Sequence, residues 1–367
     1  MKHFVIIVGT RPEIVKMAPV VTALRRQEPC CRVTLISTGQ HIELIDQMNS
    51  VFQLRFDKML QLMTSQQTLT QFIHKALFAI DQELRELQRD TQISTVIVHG
   101  DTPTAYAGAL AAFFLGIPIT HVEAGLRTFD VHNPFPEEFI RKSIDHIATI
   151  LFPPTNEARS NLISENAAAA TCLVTGNTVV DALQIVTSQG MLENIQIPYV
   201  DNYALITLHR RESLGLPLAS TLAGIERAAI NHPDYLFVFP VHPNPSIQEP
   251  VHRILGHLSN ARLISPVEYP MMLALIRSAK FIVTDSGGIQ EEAPSFGTPV
   301  LVARKTTERP EGVSSGVARL VGTETDQVFQ NIDELISNPS ALNAMRNARN
   351  PYGDGHAAER IVEALLS

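Results

Sequence analysis

The sequence predicts an α/β protein with two doubly wound parallel sheets, one in each half of the chain. Short apolar runs alternate with amphipathic segments that are long enough to form helices. Strands that are apolar on both faces and separated by helices are typical of parallel sheets with helices packed on each side. The alternation weakens between about residues 170 and 200 and then begins again, which indicates a second unit of the same class.

In the first half, four strands and the helices between them predict an N-terminal α/β domain at residues 1–172. A helix follows the first strand, because apolar residues recur at spacings of three or four between Ile14 and Leu24. An Ala-rich segment at 101–115 predicts a further helix. The strands are expected at residues 3–8, 32–37, 95–99 and 117–122.

The second half predicts five strands and a C-terminal domain at residues 173–352. Helices are expected at 271–279 and 287–296, and residues 355–366 have the pattern of a last amphipathic helix. Ligands of open parallel sheets bind beyond the carboxyl ends of the strands, so the residues after each strand are the candidates for chemistry. The strands are expected at residues 203–208, 235–241, 261–264, 281–284 and 299–302.

Composition limits the classes of function. The 367 residues include 29 Lys and Arg against 37 Asp and Glu, a net charge of −8, which argues against a broad nucleic-acid-binding face. The three cysteines show no metal-binding spacing, so neither a disulfide framework nor a zinc site is indicated, and a reducing cytoplasm is expected. The first apolar run is too short for a secretory signal, and no stretch is typical of a membrane span.

The first strand ends in a turn that favours anion binding. Residues Gly9 to Glu13 follow the strand, and Pro12 suits the first turn of a helix. Arg11 and Lys16 add positive charge to the helix N-terminus, which predicts a phosphate site. The alternative is that Arg11 lies on the surface and Lys16 is a solvated helix residue. The turn lacks the GxGxxG pattern, so a dinucleotide fingerprint is absent.

Carboxylates follow the third and fourth strands and the segment after them. Asp101 and Glu123 come at the ends of neighbouring strands, which brings both to one edge of the sheet. Glu137 and Glu138 follow further on. Carboxylates that share a cleft repel each other, so one can hold a proton near neutral pH and act as a general acid or base. The alternatives are structural: Asp101 as a helix N-cap, and the glutamates as acidic residues near a helix N-terminus.

Two histidines end strands in the second half. His209 and Arg210 begin a run of basic residues after the first strand of this half, and such a run favours contact with an anion. His242 lies in a loop stiffened by prolines, where a packed loop histidine is the simpler interpretation.

The strongest local indication of a binding site is a Gly-rich helix start. Ser286 precedes Gly287 and Gly288, whose missing side chains let a phosphate approach the helix amides. Glu292 lies under two turns further on, within reach of the vicinal hydroxyls of a ribose, and Arg309 follows the next strand. The alternative is an ordinary Gly-rich helix start.

Together these residues resemble the non-hydrolysing UDP-N-acetylglucosamine 2-epimerase family over nearly the whole chain. The joint match is far more specific than any single motif. The signatures stand at residues 9–13, 100–102, 122–127, 136–138, 209–212, 284–294, 306–311 and 350–355.

The resemblance implies a fold and a reaction. The fold is two Rossmann-like domains facing a cleft, like the GT-B glycosyltransferases, with a C-terminal helix at 353–367 packing back on the N-terminal domain. The reaction interconverts UDP-GlcNAc and UDP-ManNAc in a cytoplasmic homodimer and supplies surface polysaccharide synthesis. No nicotinamide, metal or other cofactor is implied, and neither a nucleic acid nor a membrane is an expected partner.

The resemblance also assigns site residues. The implied catalytic residues are Asp101, Glu123, Glu137 and His209. The implied substrate-binding residues are Arg11, Lys16, Val267, Met272, Ser286, Gly287, Gly288, Glu292 and Arg309. A second, activating UDP-GlcNAc site is implied near Gln40, His41, Arg210 and His242. Val267 and Met272 depart from the Gln and Phe that are common in the family, so only backbone contacts are expected to survive there.

The implied chemistry needs several carboxylates. Loss of UDP from C1 lets the weakly acidic C2 proton leave towards an oxocarbenium-like centre, which gives 2-acetamidoglucal. Return of UDP with protonation of C2 from the other face gives the epimer. Proton-handling groups are needed on both faces, together with cations for the diphosphate. We expect Asp101 and Glu123 to handle the proton and Glu137 to assist; which face each serves stays open.

Three other functions are alternatives. A GT-B glycosyltransferase would use the same UDP contacts but leave the sugar configuration unchanged with UDP-GlcNAc alone. A nicotinamide-dependent epimerase is disfavoured, because the first strand lacks GxGxxG and no Tyr has Lys four positions later. A non-enzymatic sugar-nucleotide sensor would need the UDP contacts without the carboxylates.

Overall fold

The chain folds into two compact units. The first unit contains Met1–Val186 and Tyr352–Ser367, and the second contains Thr187–Pro351. The structure is a computed structural model, which describes residues 1–39, 48–64, 66–167, 171–199, 202–210 and 213–367.

The boundary between the units differs from the one expected after residue 172. The segment beyond that point stays with the first unit because Val179 and Val180 form a buried cluster with Tyr352. The amide of Asn177 also donates to the carbonyl oxygen of Tyr352 at 2.7 Å. Contacts with the C-terminal segment therefore decide where the first unit ends.

The first unit is built on a seven-stranded sheet in the order β3-β2-β1-β4-β5-β6-β7, and every pairing in it is parallel. The central strands β1 and β4 are buried at every position except Lys2 and are mostly apolar, because helices cover both faces. The strands are β1 (Lys2–Val8), β2 (Cys31–Ser37), β3 (Lys58–Met59), β4 (Thr95–His99), β5 (Ile119–Val122), β6 (Ile150–Phe152) and β7 (Thr171–Cys172).

Helix packing in the first unit follows from the residues on the inner faces. In α2 (Leu69–Asp90) the buried side chains Phe72, Ala76, Ile80 and Leu84 recur every four residues. In α3 (Pro103–Phe114) small residues allow close approach to the sheet, since a Cβ on Gly108 would lie 3.1 Å from Ile7. The helices are α1 (Arg11–Arg25), α2 (Leu69–Asp90), α3 (Pro103–Phe114), α4 (Glu137–Ile147), α5 (Asn156–Ser164) and α6 (Thr178–Ser188).

The second unit has a six-stranded parallel sheet in the order β10-β9-β8-β11-β12-β13. Its strands are β8 (Tyr203–Thr207), β9 (Leu236–Pro240), β10 (Ala261–Ile264), β11 (Phe281–Thr284), β12 (Val300–Val302) and β13 (Ala318–Leu320). Its helices are α7 (Leu216–Asn231), α8 (Pro245–Leu255), α9 (Tyr269–Ser278), α10 (Gly287–Glu292), α11 (Pro310–Ser314), α12 (Thr325–Ser337) and α13 (Pro339–Arg346). The last helix of the chain, α14 (Ala357–Leu366), packs against α1 in the first unit.

Each sheet has one place where the strand order reverses. In the first unit this switch point lies between β1 and β4, and in the second it lies between β8 and β11. Loops leave opposite faces of the sheet there, so a crevice opens beyond the carboxyl ends of the two strands, where open α/β sheets bind ligands. Among the residues described, no helix combines the length and the apolar character needed to cross a membrane.

Candidate active site

The turn after β1 needs a glycine at its first position. A Cβ on Gly9 would lie 2.2 Å from Oγ1 of Thr104 and 2.4 Å from Oγ1 of Thr38. Those two hydroxyls are themselves 2.8 Å apart and hydrogen-bonded. The close approach brings the start of α1 against the start of α3, so the residues after β1 and β4 lie together at the switch point.

Glu13 ties these two turns to each other. Its carboxylate accepts the backbone N–H groups of Gly9 at 3.0 Å and Thr10 at 2.7 Å, and the hydroxyl of Thr102 at 2.7 Å. Burial raises the pKa of Glu13 above its ordinary value, although hydrogen bonds from Thr102 and Thr10 oppose the shift. Glu13 therefore holds the switch point of the first unit in one conformation.

Lys16 faces a carboxylate and is not a solvated helix residue. Its ammonium group contacts Glu123, and both side chains are buried. Nε2 of His99 lies 3.2 Å from the same carboxylate oxygen, Oε2 of Glu123. Two basic side chains, Lys16 and His99, therefore lie against the Glu123 carboxylate.

The backbone also sets the direction of Glu123. Its φ is +67°, in the left-handed region that side-chain-bearing residues rarely adopt and that clusters at functional sites. A Cβ on Gly100 would lie 3.9 Å from Oε1 of Glu123, so this carboxylate lies beside the turn that carries Asp101. The two candidate carboxylates therefore share one rim, as predicted from neighbouring strands.

Asp101 is paired with an arginine and does not cap the following helix. Thr102 is the N-cap of α3, and its hydroxyl accepts the N–H of Ala105 at 3.0 Å. The Asp101 carboxylate is contacted by Arg141 of α4, whose Nε lies 3.1 Å from Oδ2. Asp101 is 27% exposed, while Arg141 is 3% exposed. The carboxylate thus reaches solvent with its cation buried behind it.

The two adjacent glutamates of α4 have different environments. Glu138 is fully buried and accepts the N–H groups of Thr128 and Phe129, each at 3.1 Å, and Arg141 at 3.0 Å. It therefore holds the preceding loop. Glu137, the first residue of α4, is only half-buried, which favours it over Glu138 for contact with a ligand.

In the second unit a buried carboxylate holds the basic turn after β8. Asp285 accepts the N–H of His209 at 3.0 Å and that of Arg210 at 2.9 Å. The His209 side chain is 40% exposed, and its ring stacks on that of His242 with centroids 5.9 Å apart. The stack gives His242 a partner in the same unit and orients the His209 ring.

The Gly-rich helix start packs directly against an arginine. A Cβ on Gly287 would lie 2.6 Å from Nη1 of Arg309, so only glycine allows the guanidinium to lie there. Arg309 is held by Glu291, with Nε and Oε1 at 2.5 Å, and also contacts Glu308. Glu308 further accepts Arg304 at 2.8 Å. Both arginines follow β12 in the chain, and Arg309 lies against the helix start that follows β11.

Other predicted residues are placed as follows. Val267 and Met272 flank the start of α9 and are half-buried. Arg210 reaches Glu308 at 3.5 Å. Gln40 and His41 lie outside the described residues.

Residues that the sequence interpretation missed are mostly partners of the predicted ones. Arg141, His99 and Glu13 contact or neighbour the candidate carboxylates. Arg141 lies one helical turn after Glu137, a spacing that places both on one face of α4. That spacing was a usable signal, whereas nothing in the sequence links His99 to Glu123.

The first switch point presents carboxylates against buried basic side chains, and the second presents a Gly-rich helix start with arginines. Carboxylates of the first kind are typical of enzymes that use acid–base chemistry, and a helix start with arginines is typical of a site that binds a phosphate-bearing small molecule. The chain belongs to the UDP-N-acetylglucosamine 2-epimerase family, whose family model matches residues 23–366.

Individual relatives agree with this assignment. The chain is 44% identical to the UDP-N-acetylglucosamine 2-epimerase of Escherichia coli K12, with 97% of this chain and 96% of that protein covered. It is 38% identical to the UDP-GlcNAc 2-epimerase of Neisseria meningitidis, whose crystal structure contains UDP-GlcNAc; the TM-score is 0.93 and both chains are covered completely. A transferase from Siraitia grosvenorii in complex with UDP is similar in fold alone, with a TM-score of 0.62 at 11% identity.

Proposed function

We propose that the protein interconverts UDP-GlcNAc and UDP-ManNAc by eliminating UDP to a bound 2-acetamidoglucal and adding it back. The observation that carries the proposal is the pair of carboxylates at the first switch point, each against its own buried cation: Asp101 with Arg141, and Glu123 with Lys16. The named substrate of similar proteins, one of them solved with UDP-GlcNAc bound, supports the choice of sugar nucleotide.

The forward step breaks two bonds and forms one double bond. The C1–O bond to UDP breaks, and its electron pair leaves with the diphosphate. The C2 proton passes to a carboxylate, and the C–H electrons form the C1=C2 bond of the glycal. In the return step a proton is delivered to C2 on the other face while a diphosphate oxygen adds to C1, so atoms and charge balance over the cycle.

We assign the proton transfers to Asp101 and Glu123, with Glu137 orienting the sugar. Asp101 is partly exposed and backed by a buried guanidinium, which holds the carboxylate in place without covering it. Glu123 lies beside both Lys16 and His99, and the His99 imidazole, 3.2 Å away, is a neighbouring group with which a proton gained by the carboxylate can be shared. Two differently partnered carboxylates on one rim fit a reaction that removes a proton and returns one.

The departing diphosphate is assigned to groups of the second unit, and Arg11 is a separate substrate-binding assignment. Amides at the start of α10 and the guanidinium of Arg309 are donors for developing negative charge, and the exposed ring of His209 adds another. Glu292 is assigned to the ribose hydroxyls. Lys16 contacts Glu123, so its predicted contact with UDP would be shared with that carboxylate.

The substrate-activated site and the assembly are further parts of the proposal. Stacking of His242 on His209 links one residue of the proposed activating site to one of the proposed catalytic residues.

The proposed homodimer is supported by an exposed apolar surface on the packed helices α3 and α4. Phe113, Phe114 and Phe139 are 52%, 66% and 49% exposed there, which suits contact with a second copy of the chain. Light scattering should give twice the chain mass, and Phe114→Glu should shift it towards the monomer; a native monomer would contradict the proposal.

The reaction is tested by incubating the protein with UDP-GlcNAc in D₂O without added cofactor and following C2 by NMR. We expect both epimers, with deuterium at C2. Inversion without solvent deuterium would contradict the elimination route. An unchanged sugar configuration with transfer to an acceptor would support the glycosyltransferase, and UDP binding without turnover would support the sensor.

The product UDP-ManNAc is an activated amino sugar, the class of donor that polymer-forming transferases consume. We therefore extend the proposal to supply of surface polysaccharide synthesis in the cytoplasm. Loss of N-acetylmannosamine-derived units from the surface polymers of a strain lacking this protein is the expected result, and unchanged polymers would contradict the extension.

A further inference from the structure

A fully buried histidine lies between the carboxylate-bearing segments of the first unit. His121 is in β5, two residues before Glu123, and is not exposed to solvent. Its Nε2 lies 2.7 Å from the carbonyl oxygen of Gly100, the residue before Asp101. Its Nδ1 lies 2.6 Å from Oδ1 of Asp145 in α4, the helix that begins with Glu137.

Both ring nitrogens are engaged with oxygen atoms, so the ring has one allowed orientation. A carbonyl oxygen only accepts, so Nε2 must donate its N–H to Gly100. A proton must also lie between Nδ1 and Asp145, because two bare acceptors 2.6 Å apart would repel each other. Turning the ring would break both hydrogen bonds in a site that water does not reach.

Asp145 is itself held by other donors. Its Oδ2 lies 2.7 Å from Nη2 of Arg127 and accepts the N–H of Gly125 at 3.2 Å. Burial favours the neutral acid, but His121 and Arg127 outweigh it and hold the pKa of Asp145 below its usual range. Arg127 in turn pairs with Glu165 at 2.8 Å, and Glu165 also pairs with Lys142 at 2.8 Å.

The connections join three segments that carry different candidate carboxylates. Gly100 precedes Asp101 in the turn after β4, and its φ of +66° places its carbonyl in a conformation that glycine favours. His121 itself belongs to the strand that delivers Glu123, and Asp145 belongs to the helix of Glu137 and Arg141. We propose that His121 is a positioning residue, which sets the relative placement of Asp101, Glu123 and Glu137 without touching substrate.

This inference rests on the proposed epimerase function for its kinetic consequence. Proton transfer to and from C2 depends on carboxylates held at the correct distance, and a displacement of about 1 Å can cost about 100-fold in rate. UDP binding is assigned mainly to the second unit and is independent of this cluster. Loss of the two hydrogen bonds of His121 should therefore lower kcat and leave KM and UDP affinity nearly unchanged.

The test compares His121→Gln with His3→Gln. His3 is a matched control, because it is also a buried histidine of the same sheet with both ring nitrogens bonded, to Thr34 and Thr91, each at 2.9 Å. It lies at the amino end of β1, away from the strand ends that carry the carboxylates. A glutamine at position 121 can satisfy only one of the two partners, since its carbonyl oxygen would face the other acceptor.

We expect His121→Gln to lower kcat by about 10- to 100-fold, with KM and UDP affinity changed less than about twofold. Released 2-acetamidoglucal should rise relative to epimer, because misplaced carboxylates slow reprotonation. Amide hydrogen exchange should accelerate at residues 100–104 and 123–127. His3→Gln should match the native chain in all these measurements, even if its melting temperature falls equally.

Native kcat and native exchange in a folded His121→Gln protein would overturn the proposal, as would an equal kcat loss in His3→Gln. If His121→Gln does not fold, the same measurements are made on Asp145→Asn. This substitution keeps the size of the side chain that bonds Nδ1 of His121 but removes its charge. If the native chain does not act on UDP-GlcNAc, the proposed function fails, and the exchange comparison still decides whether His121 holds the two turns.

Discussion

In both units a buried carboxylate holds the turns at the switch point, but the partly exposed side chain there is acidic in the first unit and a histidine in the second. In the first unit Glu13 joins the turn after β1 to Thr102 after β4, and in the second Asp285 accepts N–H groups from the turn after β8. The group left partly exposed is an Asp101 carboxylate with a buried cation behind it in the first case. In the second it is the His209 ring with a buried carboxylate behind it.

This difference shows how one architecture yields two kinds of chemistry. The parallel sheet supplies the crevice in both units, and the residues directly after the strands decide its charge. In each unit a buried side chain, Arg141 in the first and Asp285 in the second, lies behind the partly exposed group. The first rim is thereby suited to proton transfer, and the second to binding an anion.

The largest expected effect is on the first rim. Asp101→Asn should keep the fold, because Thr102 and not Asp101 caps α3. An amide cannot accept the C2 proton, so turnover should fall at least about 100-fold, within the usual contribution of acid–base groups. UDP binding measured by calorimetry should be retained. Near-normal turnover would remove Asp101 from the proton transfers and leave them to Glu123 or Glu137.

The matching test of the second rim is Glu292→Ala. Loss of charge-assisted hydrogen bonds to the ribose should weaken UDP binding by about 1.5–3 kcal/mol. Deuterium incorporation at saturating substrate should change much less, because the carboxylates that we assign to proton transfer are in the other unit. Unchanged UDP affinity in a folded variant would contradict the ribose assignment.

A smaller effect is expected from Gly287→Ala. The new methyl group would lie 2.6 Å from Nη1 of Arg309 and would displace this guanidinium, which Glu291 and Glu308 restrain. UDP affinity should fall about 10-fold, equivalent to about 1.4 kcal/mol. Gly288→Ala is the comparison, since its Cβ would meet only Oγ of Ser286 at 3.9 Å. An effect of Gly288→Ala as large as that of Gly287→Ala would show that displacement of Arg309 is not the cause.

The smallest effect is expected at Glu13, which joins the turn after β1 to the turn after β4. Burial raises the folded-state pKa of Glu13, so the folded protein binds that proton more tightly than the unfolded chain does. The resulting stability is fully present below the ordinary pKa of 4.5 and is lost as pH rises through the raised value. A tenfold difference in proton affinity between the folded and unfolded states corresponds to about 1.4 kcal/mol.

Glu13→Gln removes this titration. The free energy of unfolding of the native protein, relative to that of Glu13→Gln, should therefore decrease between pH 4.5 and neutral pH in denaturant titrations. Parallel pH curves for the two proteins would show that Glu13 is not perturbed. An opposite slope would show that hydrogen bonds from the two turns outweigh burial.

Much of the fold was predictable because its pattern is local. Each of the nine predicted strands overlaps a strand of the structure, since apolar runs between turns mark buried parallel strands. Four short strands were missed, because two or three residues carry no periodicity: β3, β6, β7 and β13. The single helix expected at 287–296 is α10 followed by a 3₁₀ turn at Ala293–Phe296, where Pro294 removes a backbone donor.

The candidate site was predictable only in part. Strand order placed Asp101 and Glu123 on one rim, and the signatures marked Gly287 and Arg309. The capping alternative for Asp101 was wrong, because the next residue, Thr102, has the hydroxyl in capping position. The solvated alternative for Lys16 was also wrong, because the helix turns it inwards against Glu123.

By itself the sequence determined the class of fold, the edges of the sheets where chemistry lies, and the family resemblance. These depend on patterns within a few residues of one another or on signatures in chain order. The folded structure alone assigned the partners: Lys16 to Glu123, Arg141 to Asp101, and His121 to Gly100 and Asp145. Such pairs are about 20 to more than 100 residues apart, and they form only when parallel strands bring their carboxyl ends to one edge.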